Sequence, residues 1–405
     1  MSLLDYLSDE RLWKAFYEYK RSLACPKPFA EELRTYIEEK RYLPVCETMR
    51  ESFPLPRRSV LSKVGSDKKR IVYTYPEPEN TVLKLLTWIL LRQYDGLFSD
   101  GLYSFRPGVT AKDAVRRLRR VEGLYAMSGY KADIHDYFNS VPVERLIPML
   151  EAVLGGDGEL FSFLASLLRE PSVLDRGKIV QEKKGIMAGT PLSAFYANLF
   201  LTELDRTFEN SGCVFLRYSD DILLFAGTAQ ERDKRAEAVL SFLAGHGLSV
   251  NPAKEQYIAP GEPFSFLGFS FDNGKIDVAP LSVRKMKQKM RRKRDALARW
   301  KKRNGIDGER AARAFIRVFN RKLFDPPDDN DLSWSKWYFP VINTAESLHA
   351  IDLYAQDCIR FLVSGRHTKK RYDVRYEDMK EMGCRSLVHA YYEAKEQSLS
   401  QAETT

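Results

Sequence analysis

Through residues 1–55 apolar positions return at helical spacing, first Leu4, Leu7, Leu12 and Phe16, then Leu33 and Ile37, with Pro26 and Pro28 interrupting the series. Two or three helices are predicted there. After the strip Phe53-Pro-Leu-Pro56, a basic segment from Lys63 to Arg70 runs into Ile71-Val-Tyr-Thr-Tyr75. Its β-branched and aromatic residues predict a strand, with Gly65-Ser-Asp67 as the turn before it. Residues 80–94 are strongly periodic and predict a helix. Strands are expected at 130–134, 214–218 and 222–225. Helices are expected from near Pro191 through Phe208 and over 231–245, the latter closed by glycine. From Leu281 the pattern changes: 284–303 is a dense basic helix with Asp295 as its only acid, and 311–394 reads mostly helical outside a loop at 325–330. Strands and helices alternate irregularly, which predicts an α+β core rather than a doubly wound sheet.

A chain of 405 residues, 44% hydrophobic and 12% aromatic, has enough apolar material for a large core divided among two or three subdomains. The net charge of +9 favours a polyanionic partner, nucleic acid or an acidic membrane face. No run is long enough for an apolar membrane span, and the first ten residues lack the features of a signal peptide, so a cytoplasmic protein with no membrane partner is expected. Five cysteines form no CxxC pair and no zinc-ligand cluster with the five histidines, consistent with free thiols in a reducing compartment.

The chemistry is carried by acids. Leu216-Arg-Tyr-Ser-Asp-Asp-Ile-Leu-Leu-Phe225 sets Asp220 and Asp221 between two apolar strand-like runs. Neighbours in a strand point to opposite faces, so a buried pair is costly unless a tight hairpin presents both carboxylates at its tip. Tyr130-Lys-Ala-Asp-Ile-His-Asp-Tyr-Phe138 ends another apolar strand with Asp133. Three carboxylates from two strand ends could hold two Mg²⁺ ions about 3.5–4 Å apart, the arrangement that activates a hydroxyl and stabilises a phosphoryl transition state.

Six ordered segments carry a resemblance to the reverse transcriptases, in their bacterial group II intron-like branch. Tyr218-Ser-Asp-Asp221 resembles the YxDD box of that family's palm, and Lys131-Ala-Asp-Ile-His-Asp-Tyr-Phe-Asn-Ser140 the box with the other catalytic aspartate. Gly101-Leu-Tyr-Ser-Phe-Arg-Pro-Gly108 matches the FRPG-type element. Gly185-Ile-Met-Ala-Gly-Thr-Pro-Leu-Ser193 with Ala197-Asn-Leu-Phe-Leu201 resembles the PQG…SPLLANLYL box. Gly247-Leu-Ser-Val-Asn-Pro-Ala-Lys254 and Phe266-Leu-Gly-Phe269 resemble the last two. One departure is Ala188, where the family has glutamine: a methyl cannot make the hydrogen bonds of a carboxamide, which puts template grip or fidelity in question.

The resemblance implies a right-hand polymerase: a helical extension over 1–55, fingers and palm over 56–280 with an antiparallel sheet and helices, and a basic, mainly helical thumb and RNA-binding region over 281–405. It implies Asp133, Ile134, Asp220 and Asp221 at two Mg²⁺ ions, with Mn²⁺ as the alternative metal. Lys63, Arg70, Asp136, Tyr137, Phe138 and Lys254 are implied at the dNTP, Phe138 as the ring that excludes a 2′-hydroxyl and Lys254 as proton donor to pyrophosphate. Gly189, Thr190, Pro191, Tyr218, Phe266, Leu267, Gly268, Arg284, Lys287 and Arg291 are implied at template and primer. The activity implied is RNA-directed DNA synthesis, with an RNA template, expected to be a dedicated non-coding RNA, and an RNA–DNA duplex as partners. The aromatic and basic stretches at 334–339 and 365–372 also suit RNA. The chain stops short of a full set of maturase segments, so a stand-alone enzyme of the retron, diversity-generating or antiphage-defence kind is expected, defence being preferred. An RNA-binding splicing cofactor on the same scaffold, or a template-independent or protein-primed polymerase, are the alternatives; the oligomeric state is left open.

Overall fold

The strands are short, and most meet their partners across tight turns. The structure, a computed structural model, describes residues 1–23, 27–62, 69–209, 211–324, 333–365 and 369–403. It divides into two compact units, Met1–Lys20 with Pro28–Pro260, and Arg21–Lys27 with Gly261–Thr405. The segment 261–280 thus belongs with the helical C-terminal region.

In the first unit Arg57–Ser62 (β1) pairs antiparallel with Lys69–Thr74 (β2). Ser128–Asp133 (β3) ends at the predicted acid. Ser172–Asp175 (β4) and Lys178–Gln181 (β5) form a hairpin that the periodicity does not announce, turned by Arg176 and Gly177, both at positive φ. Val214–Tyr218 (β6), Asp221–Ala226 (β7) and Gln256–Ile258 (β8) complete the strands. They form two four-stranded sheets, ordered β2-β1-β4-β5 and β6-β7-β3-β8; β1 beside β4 is the parallel pair, and the second sheet is antiparallel throughout. Within that second sheet Gly129 lies opposite Phe225, and the ring covers it so closely that a Cβ there would fall 2.5 Å from Cε1.

The helix Ala229–Gly245 packs on β3 and β7 and begins with a capping box between Thr228 and Glu231. The helix expected through Phe208 is instead two, Ser193–Phe200 and Thr202–Thr207. At the break the Thr202 hydroxyl donates to the Asn198 carbonyl at 3.0 Å. Residues 1–20 and 28–49 join the same core, with Trp13 stacked on Tyr42 at 4.7 Å and Phe16 edge-on to Trp88 at 5.7 Å.

In the second unit Phe264–Phe266 (β9), Phe269–Asp272 (β10) and Lys275–Val278 (β11) make a three-stranded meander. Three helices, Pro280–Asn304, Gly308–Leu323 and Glu346–Ser364, pack on one another beside it. The first of these buries Met286, Met290 and Leu297, and on the same side Arg294 lies over the Phe361 ring at 5.0 Å and Lys301 donates to Leu362 O at 2.8 Å, so part of its positive charge is turned inward. Among the described residues no helix is long and apolar enough to cross a membrane.

Candidate active site

β6 and β7 are joined by two residues, Ser219 and Asp220, with Tyr218 paired to Asp221. Ser219 alone takes a positive φ, 59°, the pattern of a type II′ hairpin, whose twist matches that of the strands. Asp133, the last residue of β3, pairs directly with Asp221. Directly opposed residues hold their Cβ atoms about 5 Å apart on one face. The Ile134 N–H donates to the Asp220 carbonyl at 2.9 Å, tying the strand end to the hairpin tip. All three predicted aspartates therefore meet at one end of the sheet.

Asp133 is buried, and the Lys254 ammonium rests on its carboxylate. Lys254 is brought there because the chain after Gly247 runs beside the end of β3: His135 N–H donates to Ser249 O (2.8 Å), and Asn251 N–H to Asp133 O (2.7 Å). Burial, and then the Asp133 charge, raises the Asp220 carboxyl above its usual range, while Lys254 and Arg70 oppose the shift. Burial and the neighbouring Asp220 push Asp221 up to about 6. Lys131, on the same face as Asp133, counters that, and burial lowers its own pKa. Buried acids that also repel one another lack positive charge, and hard carboxylate oxygens suit Mg²⁺ or Mn²⁺. Ile134 can offer only its carbonyl, since its side chain is in the core. Among the described residues no three His, Cys, Asp or Glu side chains already converge at ligand geometry, so the fit is one of donor chemistry and not of a closed cage.

The other predicted residues divide. Arg70 is exposed on β2, paired with Leu61, and its field reaches Asp220. Lys63 and the turn 65–67 lie outside the described residues. Asp136 caps the short helix Tyr137–Ser140 in a left-handed conformation and accepts from Asn139 Nδ2 at 3.0 Å. The Tyr137 side chain is enclosed and its hydroxyl donates to Ala197 O at 2.6 Å, which leaves only its backbone for the expected nucleotide contact. Phe138 is half-buried, edge-on to Phe105 at 6.4 Å, and its carbonyl accepts from Ile186 N–H at 2.8 Å.

Gly189 is exposed at φ 101°, and a Cβ there would come 3.0 Å from the Tyr73 carbonyl. Ala188 is buried beneath it, its carbonyl accepting from Tyr73 N–H at 2.8 Å, which fastens this loop to β2. Thr190 is buried and spends its hydroxyl on Met187 O, leaving Gly189 and the half-buried Pro191 as the loop's accessible part. Tyr218 is half-buried before the turn.

In the second unit Leu267 and Gly268 form the two-residue turn between β9 and β10, both at positive φ, and Phe266 is buried below them. Arg284 and Arg291 are exposed; Lys287 is half-buried with its ammonium 5.8 Å above the Tyr354 ring. The aromatic stretch at 334–339 packs inward instead of forming an open RNA surface: Tyr338 is buried against Phe269, and Phe339 stands edge-on to Tyr391. Of the basic turn at 365–372, residues 366–368 lie outside the described residues.

Sequence reasoning passed over Lys131, Ser104, Asn198, Asp205 and Arg217, which surround the hairpin from below. Only Lys131 carried a signal, since it shares strand alternation with Asp133.

An antiparallel sheet that gathers its acids at one end, with a basic two-stranded element in the same unit, is the palm-and-fingers core of a right-hand polymerase. The second unit is mainly helical. The chain belongs to the reverse transcriptase (RNA-dependent DNA polymerase) family, whose profile matches residues 62–271, just over half of its length. It is 23% identical over 235 residues to the Retron Ec86 reverse transcriptase of Escherichia coli, covering 57% of this chain and 67% of that protein. It is 25% identical over 160 residues to an "Uncharacterized 91 kDa protein in cob intron" of Schizosaccharomyces pombe, covering 39% of this chain and 19% of that protein. The chain thus spans about a fifth of the latter's length. Similar solved structures include apo telomerase from Candida tropicalis, at 9% identity and TM-score 0.47 over 82% of this chain and 69% of that one. Telomerase from Candida albicans with a fragment of telomeric RNA matches at 12% identity and TM-score 0.44, over 90% and 72%.

Proposed function

We propose that the protein is an RNA-directed DNA polymerase that adds dNTPs to a primer on an RNA template. The observation that carries this reading is the in-register facing of Asp133 and Asp221 beside Asp220 at the hairpin tip. Asp133, Asp220, Asp221 and the Ile134 carbonyl would hold two Mg²⁺ ions, which supply activation of the attacking hydroxyl and charge stabilisation at phosphorus. Arg70, with Lys63, meets the triphosphate. Lys254 stands beside Asp133 with an ammonium proton to give to the leaving pyrophosphate. Phe138, braced by Phe105 and by the Gly185–Ile186 backbone, closes the space a 2′-hydroxyl would need. The finer reading, a dedicated non-coding RNA as template and a place in antiphage defence, is supported by the resemblance to stand-alone bacterial enzymes.

The deciding experiment is extension of a primer annealed to RNA by the full chain with Mg²⁺ or Mn²⁺. Extension with dNTPs is expected; extension with rNTPs alone, or none with either metal, ends the reading. Phe138→Ala should raise rNTP use relative to dNTPs by about 10- to 100-fold, the scale on which a steric pocket discriminates. Unchanged discrimination in single-nucleotide kinetics would remove Phe138 from this role.

The basic helix Pro280–Asn304 is proposed to track the duplex backbone. Arg284, Lys285, Arg291 and Arg292 are all exposed, and burial with neighbouring Lys322, Arg292 and Lys285 lowers the pKa of Lys289, a sign of crowded positive charge. Changing those four to glutamine should flatten the log–log salt dependence of duplex binding by about 0.9 for each phosphate no longer neutralised. A slope equal to that of the unaltered protein would place the duplex on another surface.

A further inference from the structure

Arg217 immediately precedes Tyr218 on β6, yet its side chain is fully enclosed. Its guanidinium grips Asp205 with two hydrogen bonds, Nε to Oδ1 and Nη2 to Oδ2, each 2.6 Å, and neither side chain is exposed. The fork leaves Nη1 free to turn toward the hairpin, where it donates to the Ser219 carbonyl at 3.1 Å. On the other side of the same residue, Ser219 N–H donates to the Ser104 hydroxyl at 2.8 Å. Ser104 is fixed in turn by Asn198, whose Nδ2 donates to its carbonyl at 2.9 Å. Both backbone polar groups of Ser219 are therefore held by side chains from outside the hairpin turn, and the next carbonyl, that of Asp220, accepts from Ile134.

Local preference does not hold this turn. Its first position favours glycine, and a serine in the left-handed region costs about 1–2 kcal/mol. Such a conformation persists where the surroundings over-determine it. Nor is the buried ion pair explained by stability, since replacing such a pair with apolar residues of similar volume is often neutral or favourable. What an apolar pair cannot supply is an N–H aimed at Ser219 O.

We infer that Arg217 is a positioning residue for the metal-binding carboxylate of Asp220, acting through the Ser219 carbonyl and kept charged and oriented by Asp205. This rests on the reading of the aspartates as metal ligands. The pair sets the direction in which Asp220 leaves the turn; it touches neither metal nor substrate.

The test is the double variant Asp205→Leu with Arg217→Met in the full chain, alongside Arg217→Lys. Lysine keeps a charge opposite Asp205 but has no rigid fork with which to reach Ser219 O as well. Three quantities are read: the thermal midpoint, Mn²⁺ affinity of the nucleotide-free protein by electron paramagnetic resonance, and kcat and KM for dNTP. Expected are a cooperative unfolding transition for the apolar pair, Mn²⁺ affinity weakened about 10-fold or more, and kcat reduced to a similar degree with KM little changed, the scale usual for groups that orient metal ligands. Wild-type Mn²⁺ affinity and kcat in a folded double variant would overturn the inference. Should that variant not fold, Arg217→Lys decides on the same criteria. Asp220→Asn is the control that separates the two readings: if it still binds Mn²⁺ and polymerises, the metal assignment itself fails. If it does neither while the Arg217 variants match wild type, only the positioning role is lost.

Discussion

Asp220→Asn should lower nucleotide incorporation by about a thousandfold or more, equivalent to about 4 kcal/mol of transition-state stabilisation, with duplex affinity unchanged. Asparagine keeps the size and one oxygen of the side chain, so the hairpin, whose backbone bonds run through Ser104, Arg217 and Ile134, has no reason to rearrange. What disappears is one of three negative charges. The same substitution should make the metal-free protein more stable. Asp220 and Asp221 both have folded pKa values above their ordinary ones, so the native state binds more protons than the unfolded chain between about pH 4 and 6. Metal-free stability therefore falls as pH rises through that window, and the loss is complete at pH 7. Removing Asp220 lets Asp221 titrate closer to normal and should return on the order of 1–2 kcal/mol at neutral pH. Denaturation in EDTA at pH 5 and pH 7 measures this; a variant that is inactive and also less stable at pH 7 would contradict the charge argument.

Gly185→Ala should be the most damaging single methyl in the first unit's site region. Gly185 sits at φ 52°, and a Cβ there would lie 2.4 Å from the Phe138 carbonyl oxygen and 2.7 Å from the Asn139 carbonyl. These are backbone atoms, so no side-chain rotation relieves the overlap. The left-handed backbone adds its own penalty, and together a loss of about 3 kcal/mol or more is expected, measured as a lower denaturation midpoint at constant m-value. The strain has one direction of escape. Ile186 N–H holds the Phe138 carbonyl at 2.8 Å, so separating the two segments moves Phe138 with it. The fraction that remains folded should discriminate less well against rNTPs. Unaltered stability together with unaltered selectivity would show that the two segments are not coupled.

The placement of the acids was easier to read than the scaffold that carries them. Asp133, Asp220 and Asp221 stand out because acids at the ends of apolar strands are conspicuous, and the structure pairs Asp133 with Asp221 and sets Asp220 in the adjoining turn. The roles drawn from motif position were less secure for Tyr137, because a sequence does not say which neighbour in a box turns inward; the hydroxyl bond to Ala197 decides it. Trp334, Trp337 and Tyr338 suggested an RNA surface by composition, yet large rings are also what a small second unit needs for its own core. The strands β4, β5 and β8 to β11 escaped notice because runs of three or four residues carry too little alternation. One signal was available there and went unread: Asn273-Gly274, both at positive φ, is the residue pair that a two-residue hairpin between β10 and β11 demands. The buried Arg217–Asp205 pair was invisible for a different reason, since a lone arginine in a strand reads as surface until its partner, 12 residues earlier, is placed beside it.

Gly129 gives the sheet a way to choose among alternative alignments while it folds. Sliding β3 by one residue against β7 would turn Asp133 to the opposite face and separate it from Asp221. Phe225 needs a partner without a Cβ, and Gly129 is the only glycine β3 offers. In any shifted alignment the ring would meet a side chain, so mispaired sheets are penalised four residues away from the acids themselves. Selection of the active-site geometry is thus shared with a position that has no chemistry of its own, and a larger residue there would weaken the preference for the native ladder.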